Sequence, residues 1–346
     1  MDLKCCIFGL GYIGLPTACV LVKSGHNVIG VDINNELVEQ LNNGKVNIKE
    51  NGIQKALDDS LKTGNFKVGT EPISSDVYII AVPTPFKNIA DGSHEPNIEY
   101  VINAAKSISK VIKKNQMILI ESTCPVGTTK KVAELIIEKC GFSDKEFSIA
   151  YCPERVLPGK ILYELINNDR VVGGIKKTDA IKAKEFYGTF CKGEILETNA
   201  ETAELVKLTE NSFRDVNIAF ANELSIICDS QNINTAELIN LANHHPRVNI
   251  LQPGSGVGGH CIAVDPWFII SQFPNEAKLI KTGREVNLHK TNWILDKIIE
   301  ETKHLELKKG TPIKVGCMGI AFKPDVNDFR ESPALKIATE LSKLNT

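Results

Sequence analysis

The chain has 346 residues, 42% of them hydrophobic and 24% charged, a balance that suits a globular protein of two or three domains with a large core. Its 40 lysines and arginines stand against 42 acids, a formal net charge of -2, which argues against a general nucleic-acid binder and leaves room for a local phosphate pocket. No run of roughly 18 apolar residues reads as a membrane span. The 10 cysteines, without paired C-x-x-C knuckles, read as mostly buried, inert thiols of a reducing cytoplasm.

The N-terminal run CCIFGLGYIGLPTACVLV after Lys4 superficially resembles a secretion signal, but its spaced glycines predict a strand, a turn and a helix instead. Gly9, Gly11 and Gly14 form G-x-G-x-x-G with Tyr12 and Ile13 inside it, and Asp32 closes the next apolar run. In such a turn the first glycine makes the bend and the second lets the backbone approach a pyrophosphate. The third packs helix on strand, and the helix N-terminus faces the phosphate charge. Asp32 is placed to bond a ribose diol and to repel a 2′-phosphate. The following Ile33, Asn34 and Asn35 offer no arginine for that phosphate, so NAD is expected over NADP.

Farther along, NVIGV, VYIIAV, MILIES and SIAY read as strands, and segments such as IEYVINAAKSISKVI carry helical spacing. This alternation predicts an α/β fold: an N-terminal Rossmann-type parallel sheet with helices on both faces, over residues 1–198.

A central helical domain is expected over 199–310. From Ala200 to about Gln231 there is no Gly or Pro, and Leu205, Leu208, Ser212, Val216, Phe220, Leu224 and Ile227 recur near the helical period. Asn199 is the expected N-cap, with Glu201 and Glu204 in the first turn. The resulting helix, about 45 Å long, would connect domains and form a subunit interface. From 311, KKGTPIKVGCMGIAF predicts a strand and SPALKIATELSKL a helix. One strand and one helix do not make a sheet domain, so 311–346 reads as the truncated start of a second Rossmann-like domain, expected to leave NAD binding intact and turnover low.

Two constellations carry chemistry. Cys261 follows Gly258, Gly259 and His260, with Asp265 four residues on. Glycines allow close backbone approach to a ligand, and a thiol there can attack an aldehyde and carry it through a thioester. A small buried cysteine in a glycine-rich loop fits the residues equally well, and His-Cys-x3-Asp is unusual spacing for a metal, so none is expected. Lys207, Asn211 and Arg214 share one helix face, as a solvated polar stripe or as groups that handle charge on an oxygen.

The stretches AVPTP (81–85), ESTCPVGTT (121–129), YCPERVLPG (151–159), ELVKLTENSFRDVN (204–217), HPRVNILQPGSGVGGHCIAVDP (245–266) and GIAFKPDVNDFRESP (319–333) resemble the UDP-sugar dehydrogenases in order, spacing and identity. The resemblance covers essentially the whole chain. It implies Cys261 as nucleophile, Lys207 as acid or base, Lys207 and Asn211 as stabilisers of developing negative charge, and Asp265 as the carboxylate that orients lysine and water. Glu154 would assist water, and Thr123 would lie near nicotinamide and the reacting carbon.

The same resemblance implies NAD contacts at Thr84 and Arg330, and substrate contacts at Arg155, Val156, Arg214, His245, Arg247, Gly258 and Lys323. Several relatives carry a glutamate where this chain has Pro158. The spelling around Asn211 and Cys261 is similar to the branch that oxidises UDP-N-acetylmannosamine for surface polysaccharide synthesis, with UDP-N-acetylglucosamine and UDP-glucose as rival sugars. A homodimer or higher homo-oligomer is implied. Against it stand a nucleotide-binding protein without turnover and a single-step 3-hydroxyacid-type dehydrogenase.

Overall fold

The computed structural model describes residues 2–87, 94–324 and 328–344. Strands β1 (Lys4–Phe8), β2 (Asn27–Val31), β3 (Phe66–Gly69), β4 (Val77–Ile80), β5 (Met117–Ile120), β6 (Ser148–Tyr151), β7 (Arg170–Gly174) and β8 (Ile195–Asn199) form one sheet. Their order is β3-β2-β1-β4-β5-β6-β7-β8. The chain runs outward from β1 to β3, then returns to the other side of β1 at β4, which opens a crevice at the carboxyl ends of β1 and β4.

The side-chain alternation of each strand feeds two cores. Cys5, Ile7, Val77, Ile79, Met117 and Leu119 pack on one face. Cys6, Phe8, Tyr78, Ile80, Ile118 and Ile120 pack on the other. Helices α1 (Gly14–Lys23), α2 (Asn35–Asn42) and α3 (Ile53–Lys62) cover the first face. Helices α4 (Glu99–Ser109) and α5 (Thr128–Cys140) cover the second. Double burial explains why these strands read as unbroken apolar runs rather than as alternating ones.

One step departs from the expected all-parallel pattern: β7 pairs antiparallel with β6, Tyr151 opposite Gly173. The connection between them holds only the short α6 (Ile161–Asn167) and returns the chain at the carboxyl end of β6. Parallel pairing resumes between β7 and β8 after α7 (Lys177–Tyr187).

The chain divides into residues 1–207 and 208–346. The division falls inside helix α8 (Ala200–Ser230), whose 31 residues match the expected length. Asn199 caps it, its side chain accepting from Thr202 N at 2.7 Å. Within the first unit, the buried Glu204 accepts from Gly127 N (2.6 Å), Thr129 N (2.7 Å) and Thr129 Oγ1 (2.6 Å), so a carboxylate from α8 satisfies the open amides at the start of α5.

In the second unit, α9 (Thr235–Ala242), α10 (Asp265–Gln272), α11 (Lys278–Lys309) and α12 (Pro333–Lys343) follow. Gly283 lets α11 approach α8 closely, since a Cβ there would meet Val216 Cγ2 at 3.1 Å. No helix among the described residues is long and apolar enough to cross a membrane. The strand expected within 311–320 does not form. Strand backbone needs a pairing partner, and the described residues of this unit hold no strand, so Val315, Met318 and Ile320 stay exposed.

Replacing Glu204 by Ala strands the half-buried Gly127 amide and the buried amide and hydroxyl of Thr129. The expected result is a loss of roughly 2–4 kcal/mol of stability by urea denaturation, with Glu204→Gln retaining part of it.

Candidate functional site

The parallel register sets Phe8, Ile80, Ile120 and Tyr151 in one row across β1, β4, β5 and β6. Gly9, Thr84, Thr123 and Glu154 each lie within four residues beyond that row, so four loops from separate parts of the sequence open at one edge of the sheet.

The glycine turn behaves as its spacing predicts. Gly9 has φ +88°, and a Cβ there would meet Ala81 O at 2.6 Å. At Gly14 a Cβ would collide with Gly9 O, whereas at Gly11 it would meet nothing within 4 Å. The first and third glycines are therefore required by the protein's own packing, and the second leaves open space where a phosphate can approach. Tyr12 is exposed and Ile13 half-buried beside it.

Asp32 accepts from Leu10 N at 2.9 Å through Oδ2 and from Asn34 N at 3.0 Å through Oδ1. Each oxygen keeps acceptor capacity for a ribose hydroxyl. The open face at Gly11, the free N-terminus of α1 and this carboxylate together fit NAD.

Glu154 is buried, with Oε1 accepting from Arg155 N at 2.7 Å. Arg155 reaches the Asp169 carbonyl at 2.6 Å, and Val156 packs on the first core. Beneath Glu154 lies a charged cluster that sequence reading missed. Arg170 Nη2 stands 3.6 Å from Glu154 Oε2, and the Tyr187 hydroxyl donates to Glu121 Oε1 at 2.8 Å. Burial raises Glu121 to about 7, Arg170 opposing and Glu154 adding to the rise. The available signal was a lone arginine opening the apolar strand RVVGG. Lys207 is half-buried on α8.

In the second unit Cys261 is half-buried, and its carbonyl accepts from Val264 N (3.0 Å) and Asp265 N (2.8 Å) where α10 begins. The buried Asp265 accepts from the side chain of Asn211, so residues 54 apart in sequence meet beside the cysteine loop. His260 Nδ1 lies 2.8 Å from Arg330 Nη2, and Arg330 is also held by Asp328 at 2.7 Å. Lys323 lies over the Phe322 ring. Arg214 is exposed one turn beyond Asn211. His245 and Arg247 share an exposed turn after α9.

The reason for the glycines before Cys261 differs from the expected one. A Cβ at Gly258 would strike Glu331 O at 2.6 Å and Phe322 Cβ at 2.7 Å, and Gly259 has φ +87° against the Phe322 ring. It is Phe322 and Glu331 that make the close approach. Residues 325–327 of the last motif lie outside the described residues.

A buried polar network, also missed, fixes the loop leading to the cysteine. Arg284 donates to Asp215 at 2.7 Å, and Asn287 bridges Asp215 and Asn222. Asn222 in turn accepts from Gly254 N at 2.8 Å. Arg284, Asn287 and Thr291 follow one face of α11, a spacing that could have been read as a buried polar stripe.

Three consecutive segments match the models of one family: its NAD binding domain at residues 3–191, its central domain at 201–289 and its UDP binding domain at 316–346. The chain belongs to the UDP-glucose/GDP-mannose dehydrogenase family. It is 52% identical to the UDP-N-acetyl-D-mannosamine dehydrogenase of Campylobacter jejuni, over 99% of this chain and 84% of that protein. It is also similar to the solved UDP-N-acetyl-mannosamine dehydrogenase of S. aureus, at 46% identity and TM-score 0.87, over 98% of this chain and 80% of that one. A UDP-D-ManNAc dehydrogenase of Pyrococcus horikoshii gives TM-score 0.91 at 38% identity, over 98% of this chain and 81% of that one. These dehydrogenases use NAD, in agreement with the cofactor expected from the glycine turn.

Asp32→Ala removes a charged acceptor and loosens the Leu10 turn. NAD affinity is expected to fall roughly 10- to 100-fold, and the advantage over NADP to narrow, in calorimetric titrations of both cofactors.

Proposed function

We propose that this protein oxidises UDP-N-acetylmannosamine to UDP-N-acetylmannosaminuronate. The observation that carries this reading is the likeness to dehydrogenases of that name over nearly the whole chain, including the segment that holds Cys261. NAD, when bound, accepts a hydride twice for each sugar.

Lys207 takes the hydroxyl proton as the first hydride leaves the C6 alcohol, giving an aldehyde. The Cys261 thiolate adds to the aldehyde carbon and forms a thiohemiacetal. Loss of a proton and the second hydride turns it into a thioester. Glu154 removes a proton from the attacking water, and the thiolate leaves as the carboxylate forms. Asn211 donates its amide toward developing negative charge, while Asp265 holds that amide in place. Thr123 and Thr84, at the ends of β5 and β4, line the nicotinamide side of the NAD crevice. Arg155, Val156, Arg214, His245, Arg247, Gly258 and Lys323 contact the UDP-sugar, and Arg330 contacts NAD.

The working form is a homo-oligomer that pairs along α8. Phe213, Phe220 and Ile227 recur every seven residues on this helix and are 71%, 53% and 50% exposed, an apolar stripe suited to a second copy of the chain. Phe213→Asp with Phe220→Asp is expected to reduce the mass measured by light scattering to that of one chain. An unchanged mass excludes this face.

For the reaction, wild-type protein should yield two NADH per UDP-N-acetylmannosamine. Cys261→Ala should yield no uronate by mass spectrometry, with NAD affinity kept within a few-fold. Uronate formation by the mutant rules out the thioester.

A further inference from the structure

The antiparallel β6–β7 step has a geometric consequence beyond the sheet. The register pairs Ala150 with Gly174 and Tyr151 with Gly173. Three residues past Tyr151, where β6 has ended, Glu154 meets Arg170, the first residue of β7. The two are only 8% and 5% exposed, and their ion pair spans 3.6 Å. A guanidinium this deeply buried needs a specific reason, because desolvation alone opposes it.

The surroundings of Arg170 leave it little freedom. Nη2 donates to the Leu165 carbonyl at 3.2 Å, and Nη1 reaches Cys152 Sγ at 3.6 Å. Its Cζ lies 4.8 Å from the Tyr187 ring centre and 5.5 Å from that of Phe190. Tyr187 hands its hydroxyl proton to the hydrogen bond with Glu121, which follows β5 as Glu154 follows β6. The buried cluster thus contains two carboxyl groups and one permanent cation. Among the atoms without a hydrogen-bond partner are Glu121 Oε2, Glu154 Oε2 and Arg170 Nε. Glu154 is therefore held at both oxygens: Oε1 accepts from Arg155 N, and the buried Oε2 faces the Arg170 guanidinium, which fixes the plane of the carboxylate.

We propose that Arg170 is the positioning residue for Glu154, pinning Oε2 so that the carboxylate keeps one orientation for the water that opens the thioester, and that Glu121 tunes this by drawing on the same guanidinium. The proposal rests on the role given above to Glu154. When Glu121 is protonated, Arg170 serves Glu154 alone. When Glu121 ionises, the cation is shared and Glu154 is held less firmly. The groups facing Arg170 are Glu154, Glu121, Cys152 and Tyr187, and burial raises Glu121 to about 7.

The test uses the whole protein and four variants: Arg170→Met, Arg170→Lys, Glu121→Gln and Glu154→Gln. Each is first checked for fold by its thermal transition and for NAD affinity by calorimetry. Arg170→Met is expected to keep the rapid formation of two NADH per site but to slow steady turnover roughly 10- to 100-fold, the effect of a misplaced group. A sugar adduct should then accumulate on Cys261, read by intact-protein mass spectrometry. Arg170→Lys should restore part of the turnover. Glu121→Gln should flatten the dependence of turnover on pH between about 6 and 8.

If Arg170→Met folds poorly, Glu121→Gln and Arg170→Lys still decide the matter through pH profile and adduct. An adduct in Glu154→Gln but in neither Arg170 variant, with the wild-type pH profile kept in Glu121→Gln, overturns the positioning role and leaves Glu154 intact. Full turnover by Glu154→Gln overturns the underlying reading, and this inference with it.

Discussion

Four parallel strands, β1, β4, β5 and β6, stop at one level, and that shared stopping line is the constraint on which the first unit depends. It arises from burial on both faces. A slip of one residue would exchange every side chain between the two cores, turning Cys5 and Ile7 toward the helices that pack on Cys6 and Phe8. Register is thereby set by packing far from any ligand, and the ends of the strands inherit it. Gly9, Thr84, Thr123 and Glu154 come to one sheet edge although up to 145 residues separate them in sequence. The NAD-binding character of the unit follows from that edge together with a helix N-terminus and the Asp32 carboxylate.

A second constraint is electrostatic. A buried guanidinium needs a partner, and among the described residues each unit holds one that has it: Arg170 with Glu154, and Arg284 with Asp215. The first holds Glu154, the residue proposed to assist hydrolysis. The second, through Asn287 and Asn222, reaches the backbone at Gly254 and steadies the loop that leads to the cysteine. In both places polar groups were retained in the interior next to segments proposed to carry chemistry, where rigid placement is worth more than the stability an apolar replacement would bring.

Much of this was legible beforehand because some features are local. The glycine turn, Asp32 and the 31-residue helix capped by Asn199 depend on neighbours in sequence, and they form as read. What escaped depends on distant partners. β3, β7 and β8 are not read as strands in the sequence, and β7 reverses direction, a choice made by the connection through α6 rather than by its own residues. Arg170 looks like an ordinary charged strand end until the fold brings it to Glu154. Gly258 and Gly259 are required, but for the approach of Phe322 and Glu331, which no local spacing reveals. The apolar run around Val315 has strand composition and lacks a partner strand among the described residues, so it stays irregular.

The shared strand-end edge can be examined directly by hydrogen–deuterium exchange with and without NAD. If the crevice lies where the register sets it, NAD slows exchange at residues 9–14, 32–35, 82–86 and 121–125. The opposite edge of the sheet, around residues 2–4, 75–77 and 115–117, keeps its free-state rates. Protection concentrated at that opposite edge, or spread evenly over the sheet, would contradict the placement of the cofactor.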